Sequence, residues 1–160
     1  MLQLRSDSPA TTHAIAAALA RLVRRGDVIV LAGEMGTGKT AFAQGFGAAL
    51  GVTDHMTSPT YNLVHSHPVG KLVLHHADLY RLSTQHEVAD LAFAELLESD
   101  GILIVEWGDV VAGSLGEHLL VRLAATEDDD DRRDVAVSAV GRSWAMRWAD
   151  VEGALEAWRC

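Results

Sequence analysis

Residues Gly33-Glu34-Met35-Gly36-Thr37-Gly38-Lys39-Thr40 fit the pattern G-x-x-x-x-G-K-[ST]. Each residue type has a physical reason to be there. Glycines let the backbone turn tightly, so that several N–H groups point inward as an anion nest. A helix beginning at Thr40, with Ala41 in its first turn, adds the positive end of its dipole. Lys39 supplies a point charge for the β- and γ-phosphates, and the Thr40 hydroxyl can ligate Mg²⁺. The stretch Gly33 to Ala41 is therefore expected to bind a nucleoside triphosphate.

Such a site also needs a carboxylate at the end of a neighbouring strand, to hold Mg²⁺ or its water. Glu106 ends the apolar run ILIVE, and Asp78 follows LVLHHA. A fully apolar strand closing on an acid favours Glu106 as the metal partner of Thr40. Asp78 reads equally well as a site residue, a helix cap or a surface carboxylate. Thr60, in Ser58-Pro59-Thr60-Tyr61, could sense the γ-phosphate as a switch residue does. Residue chemistry alone favours a plain proline turn there.

The elements that must position these groups alternate. Leu2 to Arg5 suggests a first strand. Ser8-Pro9 caps a helix ending near Arg24, with Ala14, Ile15, Ala18, Leu19, Leu22 and Val23 at helical spacing. VIVLA at 28–32 has the length and continuity of a strand buried on both faces. A helix over 40–50, closed by Gly51, follows the phosphate loop. A hairpin is expected from Tyr61 to Ser66 and Leu72 to Ala77, turning at Pro68-Val69-Gly70-Lys71. Thr84 and Glu87 form a capping box for a helix to about Glu98. Ile102 to Glu106 is a buried strand. Leu119 to Leu123 and Val135 to Val140 form a closing antiparallel pair. From Ser143 a final helix carries the stripe Trp144, Trp148, Val151, Leu155 and Trp158, a face expected to pack on the domain, with a partner-docking face as the alternative. The whole, residues 1–160, is expected to be one α/β P-loop NTPase domain. Its central sheet should be mostly parallel, with helices on both faces and antiparallel additions.

Composition narrows the partners. The chain carries 13 Lys and Arg against 22 Asp and Glu, a net charge of −9, so unaided grip on nucleic acid is not expected. Five of the acids are consecutive, Glu127 to Asp131, and read as a solvated turn. No apolar run reaches the roughly 18–20 residues a membrane span needs, and no basic-then-apolar leader opens the chain. The single cysteine, Cys160, excludes an intrachain disulfide and fits the cytoplasm.

Taken together, GEMGTGKTAF at 33–42, SPTYNLV at 58–64, HADLYRL at 76–82 and IVEWGD at 104–109 resemble the TsaE (YjeE-like) family of bacterial P-loop ATPases. That family is required for threonylcarbamoyladenosine modification of tRNA, on the adenosine next to the anticodon. The resemblance covers about residues 4–107 firmly. Beyond them, Arg133 looks like a family arginine. The resemblance implies Mg²⁺ on Thr40 and Glu106, a role for Asp78 in ATP hydrolysis, and a switch-like Thr60 beside the γ-phosphate. Lys39, Asp78, Glu106 and Thr60 thus form the implied catalytic set. Trp107 matches a family tryptophan, with packing and stacking both open. His76 falls in the family's HxDxYR pattern, where it is expected to orient the Asp78 loop. Ala92 and Leu115-Gly116 depart from the family's usual glycine and Leu-Pro, which touches local backbone geometry and not the chemistry. The implied partners are TsaB- and TsaD-type proteins, with tRNA met only through them.

Other classes share the loop. A small-molecule kinase would need an arginine-rich lid, and neither Arg21, Arg24 and Arg25 nor Arg132 and Arg133 reads as one. A GTPase would need N-K-x-D, yet Asn62 is the only asparagine and Leu63 follows it. A nucleotide-gated binding module without useful hydrolysis stays open. His65, His67, His75 and His76 could cluster on the hairpin, but zinc spacing is absent.

Overall fold

A computed structural model describes residues 1–54, 56–57, 64–79, 93–98, 100–107, 113 and 115–160. The expected SPTY segment with Thr60, the capping box at Thr84 and Glu87, and Ala92 lie outside the described residues.

Strands β1 (Leu2–Ser6), β2 (Val28–Ala32), β3 (Val64–Val69), β4 (Leu72–Asp78), β5 (Gly101–Glu106), β6 (His118–Ala125) and β7 (Arg133–Val140) form one sheet. Its order is β1-β7-β6-β2-β5-β4-β3. The four central strands, β6, β2, β5 and β4, run parallel. Antiparallel pairs flank them on both sides. VIVLA and GILIVE are buried at every position, as strands covered on both faces must be. The carboxyl ends of β2, β4 and β5 share one edge of the sheet, where open α/β sheets place their ligands.

Helices α1 (Pro9–Ala20) and α2 (Lys39–Leu50) pack together on one face. There Ile15, Leu19, Phe42 and Phe46 cover Ile29, Leu31 and Ile104. The two helices approach so closely that a Cβ at Gly45 would lie 2.7 Å from the His13 backbone. Helix α3 (Phe93–Glu98) covers Val30, Leu103 and Val105 on the opposite face. Ser8 caps α1, its hydroxyl accepting from the Thr11 N–H at 3.2 Å.

Three expectations need correction. Helix α1 stops at Ala20, not Arg24, because the Asp27 carboxylate takes the Arg24 N–H at 2.6 Å and holds that stretch as a loop. The hairpin turn is only Gly70-Lys71. Pro68 pairs with Val73 inside β3, which tolerates a proline because β3 is the sheet's edge. The C-terminal helix is broken into α4 (Arg142–Ala145) and α5 (Trp148–Leu155), followed by a 3₁₀ turn over Glu156–Trp158. At the break, buried Arg147 makes a bidentate pair with Asp27 at 2.9 and 2.6 Å and stacks 3.9 Å from the Trp144 ring. That tether sits between the two helices, at the residue before α5. The aromatic stripe packs inward as expected: Trp144, Val151 and Leu155 are buried, and Trp148 and Trp158 lie against the same core.

The β3–β4 hairpin should be sensitive to acid. Burial holds His67 below the ordinary histidine range, aided by repulsion from His76 and His65, and burial lowers His75 as well. A depressed folded value means the unfolded chain binds the proton first. The stabilisation is therefore full above about pH 6.5 and lost as the pH falls through the lower folded values. The melting temperature should drop more between pH 7.5 and 5 in the wild type than in a His67→Gln, His75→Gln double variant. Equal drops would refute the assignment.

Candidate nucleotide-binding site

Strand β2 delivers the chain into a loop, Gly33 to Gly38, that ends at the first residue of α2. Gly38 is the N-cap in a left-handed conformation, φ 99°, and it offers no side-chain cap to the helix. The first amides of α2 are thus left for an anion. The loop is braced internally: the Thr37 hydroxyl donates to the Glu34 carbonyl at 2.7 Å. Gly33, φ 144°, sits where any Cβ would collide with the Leu123 carbonyl oxygen and approach the Thr37 hydroxyl at 2.8 Å. Gly33→Ala is expected to displace the loop from β6, lowering the melting temperature and weakening nucleotide binding at least tenfold in a titration.

Lys39 is buried, and its Nζ donates to the carbonyls of Gly33 at 2.6 Å and Glu34 at 2.8 Å. Its ammonium also lies 3.6 Å from the centroid of the Trp107 ring. Trp107 adopts φ 65°, and its backbone N–H donates to the Leu31 carbonyl at 2.8 Å. A left-handed bulky residue costs about 1–2 kcal/mol. A desolvated cation–π contact contributes about 2 kcal/mol, enough to offset it. Of the two roles left open for Trp107, the indole stacks on the site's cation.

The carboxylates come from register. Asp78 pairs with Glu106 at the ends of parallel β4 and β5, which puts both on one face. Both are buried. The Thr40 hydroxyl donates to Glu106 Oε1 at 2.8 Å. His76, two residues before Asp78 on the same face of β4, places Nε2 at 2.5 Å from Glu106 Oε2. Its partner is Glu106, because alternation along β4 turns it to the same face as that acid; the loop after Asp78 that it is expected to orient lies, from residue 80 to 92, outside the described residues. Met35, Gly36, Gly38, Lys39, Thr40, Ala41, Asp78, Glu106 and Trp107 line one cleft of about 410 Å³. Glu34 contributes its carbonyl, with its side chain exposed. Thr60 lies outside the described residues.

Residue chemistry gave Arg133 no place in the site. From the first position of β7, its Nε donates to the Thr37 carbonyl at 3.1 Å and its Nη2 to the Gly36 carbonyl at 3.3 Å. It anchors the outer side of the loop. Beside it, a recess of about 60 Å³ is lined by Pro9 and Thr12 of α1, Thr37, Gly38, Ala41 and Asp131. The sequence signal was slight: a basic residue directly after an acidic turn, at the edge that carries the loop.

The site's donors suit a hard cation. A hydroxyl and a carboxylate oxygen stand 2.8 Å apart with a second carboxylate in the same cleft, the oxygen set that Mg²⁺ prefers when phosphates and water complete its shell.

The family model described as "Threonylcarbamoyl adenosine biosynthesis protein TsaE" matches residues 6–135. The chain belongs to the TsaE family. TsaE relatives agree over most of their length. The protein named tRNA threonylcarbamoyladenosine biosynthesis protein TsaE in Bacillus subtilis is 34% identical over 145 residues, covering 91% of this chain and 90% of that protein. The protein of the same name in Streptomyces coelicolor is 38% identical, covering 83% and 92%. The crystal structure of Bacillus subtilis YdiB superposes with a TM-score of 0.77 at 30% identity, covering 95% of this chain and 94% of that one. The TsaE match runs past the firm limit near residue 107 expected from motifs, through β6 to Val135, and so includes Arg133.

Proposed function

We propose that this protein binds ATP with Mg²⁺ in the P-loop cleft and hydrolyses it slowly, as the ATPase subunit of threonylcarbamoyladenosine modification of tRNA. The observation that carries this reading is convergence. Lys39 and Thr40, Asp78, and Glu106, from three separate places in the sequence, meet in one cleft at the carboxyl edge of the parallel strands. Membership of the TsaE family supports the pathway.

The residues divide the work. Loop amides from Gly33 to Gly38 and the first turn of α2, with Lys39, bind the β- and γ-phosphates and meet the charge that shifts as the γ-phosphoryl leaves. Thr40 and Glu106 would hold Mg²⁺, which supplies further neutralisation of the phosphate oxygens when bound. Asp78 orients a water at the γ-phosphorus and takes its proton as the new P–O bond forms and the bond to the β,γ-bridging oxygen breaks. Thr60 acts as the switch residue at the γ-phosphate. Arg133, among the described residues, is occupied with the loop's carbonyls, and slow unaided turnover is the expectation of this reading.

TsaB- and TsaD-type proteins are the partners of this reading, in the cytoplasm, with tRNA held by them. The net charge of −9 supports that division of labour, because phosphate grip comes mainly from Lys and Arg. Among the described residues no helix is long and apolar enough to cross a membrane.

The test is ATP turnover with and without a reconstituted TsaB–TsaD pair, scored alongside threonylcarbamoyladenosine formation. The reading expects the pair to stimulate hydrolysis and modification to stop when this protein is omitted. Turnover indifferent to the partners, with modification intact without this chain, would refute it.

A further inference from the structure

His76 is fully buried, and it does not line the cleft that Glu106 lines. It reaches Glu106 from the interior side, Nε2 to Oε2 at 2.5 Å, while Oε1 is shared with the Thr40 hydroxyl at 2.8 Å. The two oxygens of Glu106 thus have separate partners. One is tied to the sheet, and the other is presented beside the first turn of α2. An ionised carboxylate only accepts, so Nε2 carries a proton and donates. Nδ1 is also buried and has no partner among the described residues. A buried ring that leaves one nitrogen unmet is a poor choice for packing alone, since an apolar side chain would carry no such penalty. The bond to Glu106 is what this histidine accomplishes.

We propose that His76 is a positioning residue that locks the Glu106 carboxylate, so that Oε1 and Thr40 Oγ1 present a ready divalent-cation site. His76 then sets the affinity of the ATP-bound protein for Mg²⁺ without setting its affinity for the nucleotide. This inference rests on reading the cleft as a Mg²⁺–ATP site. Partners behind metal ligands commonly govern metal affinity by 10–100-fold when removed.

The experiment is an equilibrium titration of ATP binding across Mg²⁺ concentrations, repeated in EDTA, on the wild type, His76→Asn and His76→Gln. Asparagine is too short to put a donor where Nε2 stands; glutamine can reach. In His76→Asn the half-saturating Mg²⁺ concentration should rise about tenfold or more, with ATP affinity in EDTA within about twofold of wild type. His76→Gln should recover part of that shift. An unchanged Mg²⁺ midpoint in His76→Asn, or an equal loss of affinity in EDTA, would overturn the proposal. A wild type whose ATP binding ignores Mg²⁺ would overturn the underlying reading and this one with it. Should the variants not fold, nitrogen-15 NMR of the wild type decides. The His76 Nε2–H signal should shift with Mg²⁺ and ATP together but not with ATP in EDTA, and an identical response to both would overturn the proposal.

Discussion

Lys39→Ala should reduce ATP turnover at least 100-fold, a loss of about 2.7 kcal/mol of transition-state stabilisation. The effect has two sources. The ammonium brings a full positive charge to the cleft, and it is buried, so water screens it weakly and its pull on phosphate oxygens is strong. It is also a strut: Nζ joins the Gly33 and Glu34 carbonyls, and the Trp107 ring covers it. Removing it takes away the ion, leaves two carbonyls to find other donors, and strands Trp107 in a left-handed conformation without its cation. Lys39→Arg should rescue little, because a planar guanidinium cannot take the place of a compact ammonium between two carbonyls and a ring. Phosphate release under saturating ATP measures the effect. Turnover in Lys39→Ala equal to wild type would show that hydrolysis occurs elsewhere.

Asp78→Asn should separate binding from chemistry. The amide is nearly isosteric but cannot accept a proton, so turnover should fall by about 10²–10⁴-fold. Binding should survive or tighten. Asp78 and Glu106 are in-register neighbours at the ends of β4 and β5, and losing one of two adjacent negative charges favours a polyphosphate beside them. A titration with Mg²⁺–ATP should therefore give a dissociation constant no weaker than about twofold above wild type, alongside the collapse in rate. Loss of binding with the rate per bound ATP unchanged would make Asp78 a binding residue and not the one that orients water. If turnover fails but modification of tRNA persists, the protein is a nucleotide-gated module, and hydrolysis serves no purpose in the pathway.

What the sequence made legible was local. Strand β2, the glycine loop and α2 are contiguous, and their apolar run, loop pattern and helix start fall in one stretch of chain. ILIVE ending in Glu106 was legible for the same reason. Contacts set by register and long loops were not. Nothing in the residues around Asp78 says that β4 lies beside β5 with Asp78 opposite Glu106, and that pairing is what makes Asp78 part of the cleft. The contact of His76 follows from the same register, which turns it toward the acid on β5. Arg133 lies 96 residues beyond Thr37, and only the β6–β7 hairpin brings them together. The C-terminal break has a similar origin: apolar spacing of the stripe is helical throughout, but the Asp27–Arg147 pair, 120 residues apart, overrides it. Removing one partner of such a buried pair costs about 3–5 kcal/mol, well above the local helix preference it defeats.

Calorimetric titration of the wild-type protein with ATP in the presence of Mg²⁺, followed by competition with GTP, tests the central claim most directly. One ATP should bind per chain, GTP should fail to displace it at comparable concentration, and Lys39→Ala should bind far more weakly. Absence of saturable ATP binding, or equal binding by Lys39→Ala, would contradict the assignment of this cleft.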